Sequence, residues 1–286
     1  RLFVSSISGQ INEILGEGKL RSLLPDGFNW PLDLAMGADG ALFIADGGFT
    51  YTLRPGGTLQ GAGMLFSPGF PGYTRGVAPD GRGEFIVTTA NGVVARFWPA
   101  QQESEVIASG FDQLYGVAVA PGGTVIFAEL GRGRVLSAAV GKVEELAAGL
   151  RQPMGVAISA EGTCFITESG AGRVVKLTRG GVDTVLDGLQ QPQGILAHGS
   201  LLYVVDAGAK VLVEYNVTNG IRRTIAANLP VGAPPGVVPK FIGAIGDMSG
   251  PMGPFAGITA APDGTLYLSA DAEGSILALR PVAKNA

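Results

Sequence analysis

Apolar residues in this chain fall into short runs separated by polar, Gly-rich turns. The stretch from Gln152 to Leu189 shows the pattern most clearly: MGVAIS, a polar turn, TCFITE, a Gly-rich turn, RVVKLT, another turn and VDTVLDG. Apolar and polar positions alternate or run briefly within each segment, which predicts four short strands. Nothing in the stretch is long or periodic enough for a helix. A single such sheet cannot cover both its faces, so it must stack on neighbours of its own kind.

The neighbours are visible in the sequence. A residue pair followed by Gly and an apolar run recurs as TRGVAP at Gly76, LYGVAV at Gly116, PMGVAI at Gly155, PQGILA at Gly194 and FAGITA at Gly257, with PLDLAM placing Asp33 in the Gly position. Successive spacings are 43, 40, 39, 39 and 63 residues. A period of about 40 with four strands is the signature of a β-propeller blade. The last interval is lengthened by an insertion from Val231 to Gly253, so residues 1–286 read as one propeller domain with a candidate lid at 231–253.

The ends are incomplete. The segment beginning LFVSS aligns with strands two to four of a blade, and FAGITAAPDGTLYLSADAEGSILALRPV supplies strands one to three. That predicts an all-β fold of seven blades with two incomplete ones. The six-bladed alternative makes KLRSLLP the last blade's fourth strand and leaves Leu2 to Glu13 without a place.

Composition narrows the partners. Hydrophobic residues make up 46% and charged ones 15%, enough for a core and unlike a disordered chain. A formal charge of −4 offers no basic excess to neutralise phosphates, so no nucleic-acid partner is expected. No apolar run reaches the roughly 18 residues of a membrane span. The lone Cys164 is expected to be a buried hydrophobe, and it leaves the redox compartment undetermined. No signal peptide is visible, and the start at Arg1 fits a chain cut from a longer one; the localisation stays unknown.

The repeat P-x-G-[VI]-A … G-T-x-[FY]-[IV]-[TV]-[DE] … G-[RK]-V resembles the NHL-repeat propellers. It is similar too to the streptogramin B lyases and the regucalcin/gluconolactonase family. The resemblance covers nearly the whole chain and implies the fold, while function must come from the site. In the gluconolactonases, carboxylates and Asn near the inner-strand motif bind a divalent metal. Here only Gln193 offers an oxygen ligand in that column, where a hard cation wants several. In the lyases, histidines near the channel act with a metal. The single histidine here, His198, falls in the turn after an inner strand, on the opposite face. No cofactor is therefore expected, with a divalent cation in the channel as the alternative.

Two columns face the channel on the side of the inter-blade connections. The residue before each inner-strand Gly should point at the mouth: Leu32, Arg75, Tyr115, Met154, Gln193 and Ala256. The second strand ends in Ser6, Asp46, Thr89, Glu129, Glu168, Asp206 and Ala270. A ring of carboxylates can bind a cation or hold one proton between two members, raising one pKa into a useful range; Glu168 and Glu129 have the longer reach and are the candidates for a general base. The competing reading is structural, because Arg134, Arg173 and Lys210 open the next strand and can pair with Glu129, Glu168 and Asp206 across their own turns. Arg75 and Tyr115 complete the candidate catalytic set. Substrate contacts are expected from Asp33, Asp46, Met154, Gln193 and Asp206.

Two connections on the same face are rich in Gly, Pro, Met and aromatics. One carries Met64, Phe66, Phe70 and Tyr73; the other carries Phe241, Met248, Met252 and Phe255, and Phe28 and Trp30 arrive from the first connection. Loops of this kind cover binding sites or plug the channel. Trp30, Phe70, Tyr73, Phe241, Met252 and Phe255 join the expected substrate contacts. GRGR at Gly131 to Arg134 lacks the helix N-terminus of a phosphate loop. NVT at Asn216 fits a glycosylation acceptor only by its short pattern.

Three functions follow from these residues. The first is an enzyme that opens, hydrolyses, eliminates from or isomerises a hydrophobic small molecule, with Arg75 on an anion, Tyr115 as donor and Glu168 or Glu129 as base. The second is a non-catalytic module that binds a protein or ligand. The third is a divalent-metal lactonase.

Overall fold

A computed structural model describes residues 2–6, 10–16, 19–22, 31–36, 42–46, 49–54, 58–64, 69–80, 84–139, 141–233, 237, 256, 258–260, 266–270 and 275–280. These residues form seven antiparallel sheets, five of four strands and two of three. The only helical element among them is a 3-10 turn, Ser169–Ala171. Within each sheet the strands pair in chain order, innermost first. The fold is an all-β propeller.

Strand length follows from the alternation read in the sequence. The fifth blade comprises Pro153–Ile158, Cys164–Glu168, Arg173–Thr178 and Gly181–Leu186, each close to its apolar run. The second strands Phe85–Thr89, Val125–Glu129 and Cys164–Glu168 are buried at every position. A strand covered on both faces needs a continuous apolar run, and stacking between neighbouring blades supplies that cover.

The core is a series of wedges. Phe43, Phe85 and Phe97 fill the gap between the second and third blades, with Phe43 stacked on Phe85 at 4.5 Å. Phe127 and Leu136 of the fourth blade meet Ile86 and Val94 of the third. Ile126 and Val135 meet Cys164 and Ile166; Phe165 and Val174 meet Leu202 and Val204; Val205 and Leu212 meet Leu266 and Leu268. Each large side chain so buried contributes roughly 1.5–3 kcal/mol.

The terminal sheets keep the repeat's geometry. Leu2–Ser6 packs against Pro31–Met36 as Val125–Glu129 packs against Pro153–Ile158, which identifies it as a second strand. The seventh sheet, Ile258–Ala260, Leu266–Ala270 and Ser275–Leu279, supplies strands one to three. No helix among the described residues is long and apolar enough to cross a membrane.

Candidate functional site

The inner-strand motif is a β-bulge. In the fourth blade Leu114 pairs with Glu129 and Val117 with Phe127, so Tyr115 and Gly116 together oppose Ala128. The same break separates Thr74 from Val77, Pro153 from Val156 and Pro192 from Ile195. Arg75–Gly76, Met154–Gly155 and Gln193–Gly194 are therefore equivalent bulges. A bulge re-aims its residues away from the ladder, which suits a site at a strand's end.

The glycines serve close approach. A Cβ on Gly76 would stand 2.8 Å from Tyr115 O, one on Gly116 2.5 Å from Met154 O, and one on Gly155 2.5 Å from Gln193 O. Each bulge thus rests on the backbone of the next, and Arg75, Tyr115, Met154 and Gln193 follow one another around the ring. Two threonines brace the row. Thr88 Oγ1 accepts the Gly76 amide at 3.0 Å and donates to Tyr115 O at 3.4 Å. Thr167 Oγ1 accepts the Gly155 amide at 2.8 Å and donates to Gln193 O at 2.7 Å.

Side chains on the row differ in burial. Met154 and Gln193 are buried, and Tyr115 is half-buried. Gln193 Oε1 accepts the Ala256 amide at 2.8 Å, so this residue joins the sixth blade to the seventh. Arg75 is placed by its backbone in Thr74–Pro79, and Asp33 by its backbone in Pro31–Met36.

The column of carboxylates is bound into the frame. Glu129 Oε1 accepts the Asp112 amide at 2.8 Å, while Oε2 accepts from Arg134 Nε at 2.8 Å. Glu168 Oε1 accepts the Arg151 amide at 2.6 Å, and Oε2 accepts from Arg173 Nε at 2.6 Å. Asp206 accepts the amides of Gln190 at 2.7 Å, Gln191 at 2.8 Å and Ala209 at 3.2 Å. Each carboxylate ties the incoming connection to the end of its own second strand. Burial alone would lower the pKa of Arg134; its hydrogen bonds to Glu129 and Glu145 outweigh that and hold it above its ordinary value. Asp46 stands opposite Pro31 as Glu168 stands opposite Pro153. Thr89 replaces the carboxylate in the third blade and donates to Asn91 Oδ1 at 2.5 Å.

The aromatic connections divide. Phe70 packs over Gly63 and meets Phe97 edge-on at 6.4 Å, which puts it in the wedge between the second and third blades. Tyr73 O accepts the Ala90 amide at 2.9 Å, and Met64 is exposed. Trp30, Phe241, Met252 and Phe255 lie outside the described residues, as do Phe28, Phe66 and Met248. His198 is exposed and pairs with Leu201 across the turn. Among the described residues no three His, Cys, Asp or Glu side chains are grouped to hold a metal ion. Cys164 is buried, and burial pushes its thiol up to about 12.

Sequence reasoning found the Arg75–Gln193 row but not its bulged backbone or its braces. The recurrence of Thr88 and Thr167 one residue before the strand end is the signal that marks the braces. The left-handed Gln113 and Gln152, each with φ of 53° just before an inner strand, carried no such mark. Their carbonyls accept the amides of Leu130 and Ser169, each at 3.0 Å, closing the connection from its other side.

No protein-family model matches the chain, and no curated protein matches it significantly. Solved structures do. A streptogramin B lyase superposes with a TM-score of 0.68 at 13% identity, covering 92% of this chain and 86% of that one. Virginiamycin B lyase from Staphylococcus aureus gives 0.66 at 15% identity, covering 89% and 85%. A chain of a nidogen/laminin complex gives 0.61 at 16% identity, covering 77% and 90%. The shared feature is the fold, a β-propeller.

Proposed function

We propose that the chain is a small-molecule enzyme of the propeller hydrolase or lyase type. Its substrate is hydrophobic with one polar or anionic group, bound at the channel mouth across the inner-strand bulges. The observation that carries this reading is the serial contact of the four bulges, which gathers Arg75, Tyr115, Met154 and Gln193 at one end of the inner strands. Arg75 neutralises a carboxylate or a developing oxyanion, Tyr115 donates a hydrogen bond or proton, and Met154 offers apolar surface. The lyases of the same fold support the reaction class. With both oxygens of Glu129 and Glu168 engaged, these residues hold the frame, and the proton released in the step passes to bulk water or to a basic group of the substrate.

The test is turnover of a panel of apolar lactones and macrocyclic esters, followed by mass spectrometry. Loss of turnover in Arg75→Ala and Tyr115→Phe supports the assignment; near-intact turnover in both ends it. The metal-lactonase alternative is decided by elemental analysis, with activity measured before and after chelation.

A second reading is a non-catalytic binding module. The carboxylates Glu129, Glu168 and Asp206, all engaged in frame hydrogen bonds, favour it, and the propeller of the nidogen/laminin complex gives it a parallel. It expects partner binding to fall when the 231–253 insertion is shortened and to survive Tyr115→Phe.

A further inference from the structure

The turn after the second strand has a fixed design in the third to fifth blades. A left-handed glycine occupies it: Gly92 with φ of 79°, Gly133 with 63° and Gly172 with 65°. The carbonyl of each accepts an amide from the following connection, Phe111 at 3.2 Å, Leu150 at 2.9 Å and Leu189 at 2.8 Å. The sixth blade has Lys210 at this place, with φ of 60° and its carbonyl accepting the Leu229 amide at 2.9 Å. A lysine is strained in a backbone region where glycine is relaxed.

That strain accompanies a use of the side chain. Lys210 Nζ donates to Val231 O and to Ala233 O, the latter at 2.5 Å. Asp206, the partner expected from the sequence, takes backbone amides instead. Val231 is fully buried in the cluster that includes Val205, Leu212, Leu229 and Ala256. Ala256 is itself held by Gln193 Oε1. The sixth blade therefore grips the chain on both sides of residues 234–255, with Lys210 before them and Gln193 after.

We propose that Lys210 is a positioning latch that fixes the chain at Val231–Ala233, immediately before residues 234–255. The left-handed turn is kept with a lysine in it because the ammonium, aimed from there, engages two carbonyl acceptors, Val231 O and Ala233 O, on either side of Gly232. Residues held in sparsely populated backbone regions persist where they serve such a purpose. The latch does not depend on what the mouth binds.

Lys240 is the single Lys or Arg between Ala233 and Ala256, so trypsin cleavage after it reads this segment separately from the blades. In the full chain, Lys210→Gly should keep or raise the thermal midpoint, because glycine is what the other blades use there. The same variant should speed cleavage after Lys240 by about tenfold through local opening. Faster amide exchange at Gly232 and Ala233 should accompany it. Lys210→Asn, which also tolerates the left-handed turn, repeats the test should the glycine variant fold poorly. An unchanged rate at Lys240 in both variants overturns the proposal. So does an acceleration shared equally by sites in the third to fifth blades.

Discussion

Glu168 Oε2 lies 2.6 Å from Arg173 Nε, while its other oxygen receives the amide of Arg151 at 2.6 Å. One buried carboxylate thus joins the third strand of its blade to the connection arriving from the blade before. Glu129 repeats the arrangement with Arg134 and Asp112. Of the two roles the sequence offers this column, Glu129 and Glu168 adopt the structural pairing across their own turns.

Breaking such a pairing leaves a backbone amide and a partly buried guanidinium without their carboxylate acceptor. Glu168→Ala should cost about 3 kcal/mol in chemical denaturation. Glu144→Ala, whose partner Lys142 is largely exposed, should change stability too little to measure. Were Glu168 a general base, Glu168→Gln would instead keep stability and abolish turnover.

The bulge row predicts a second effect. Gly155→Ala places a methyl group 2.5 Å from Gln193 O, a backbone atom that cannot step aside. Overpacking of this kind costs about 1–3 kcal/mol. Thr167→Val removes both the acceptor for Gly155 N–H and the donor to Gln193 O, and should cost about 2 kcal/mol. Both losses are measurable as shifts in the urea midpoint.

Cys164 gives the pH dependence. Burial raises its thiol from 9.0 to about 12, so between those values the unfolded chain loses a proton that the folded chain keeps. The thiol's contribution to stability is complete below pH 9.0 and is lost as pH rises toward 12. Above pH 9.0 the wild type should lose about 1.4 kcal/mol per pH unit more than Cys164→Ala. Equal slopes in the two proteins would contradict this assignment. At neutral pH the thiol should resist disulfide reagents until the protein is unfolded.

Much of this fold was legible because blades copy one another. The alternation in CFITE and VIFAE, and the Gly recurring near every fortieth residue, mark strands and register in the sequence itself. The ion pairs of Glu129 and Glu168 were legible too, since charge and spacing place Arg134 and Arg173 across a short turn. Lys210 looked equivalent but behaves differently, because its backbone is left-handed and its ammonium is aimed at Val231 and Ala233. Phe70 was assigned to the mouth by its loop alone; the space above Gly63, where no Cβ stands, draws it into the wedge. Such choices depend on gaps between blades, and no single strand records them.

The most direct test of a ligand site at the bulge row is a crystallographic fragment screen with apolar carboxylates and lactones. The account predicts fragments within hydrogen-bonding distance of Arg75 or Tyr115, with that binding lost in the Arg75→Ala/Tyr115→Phe double variant. Fragments bound only elsewhere, or equal occupancy at the mouth in the double variant, would contradict it.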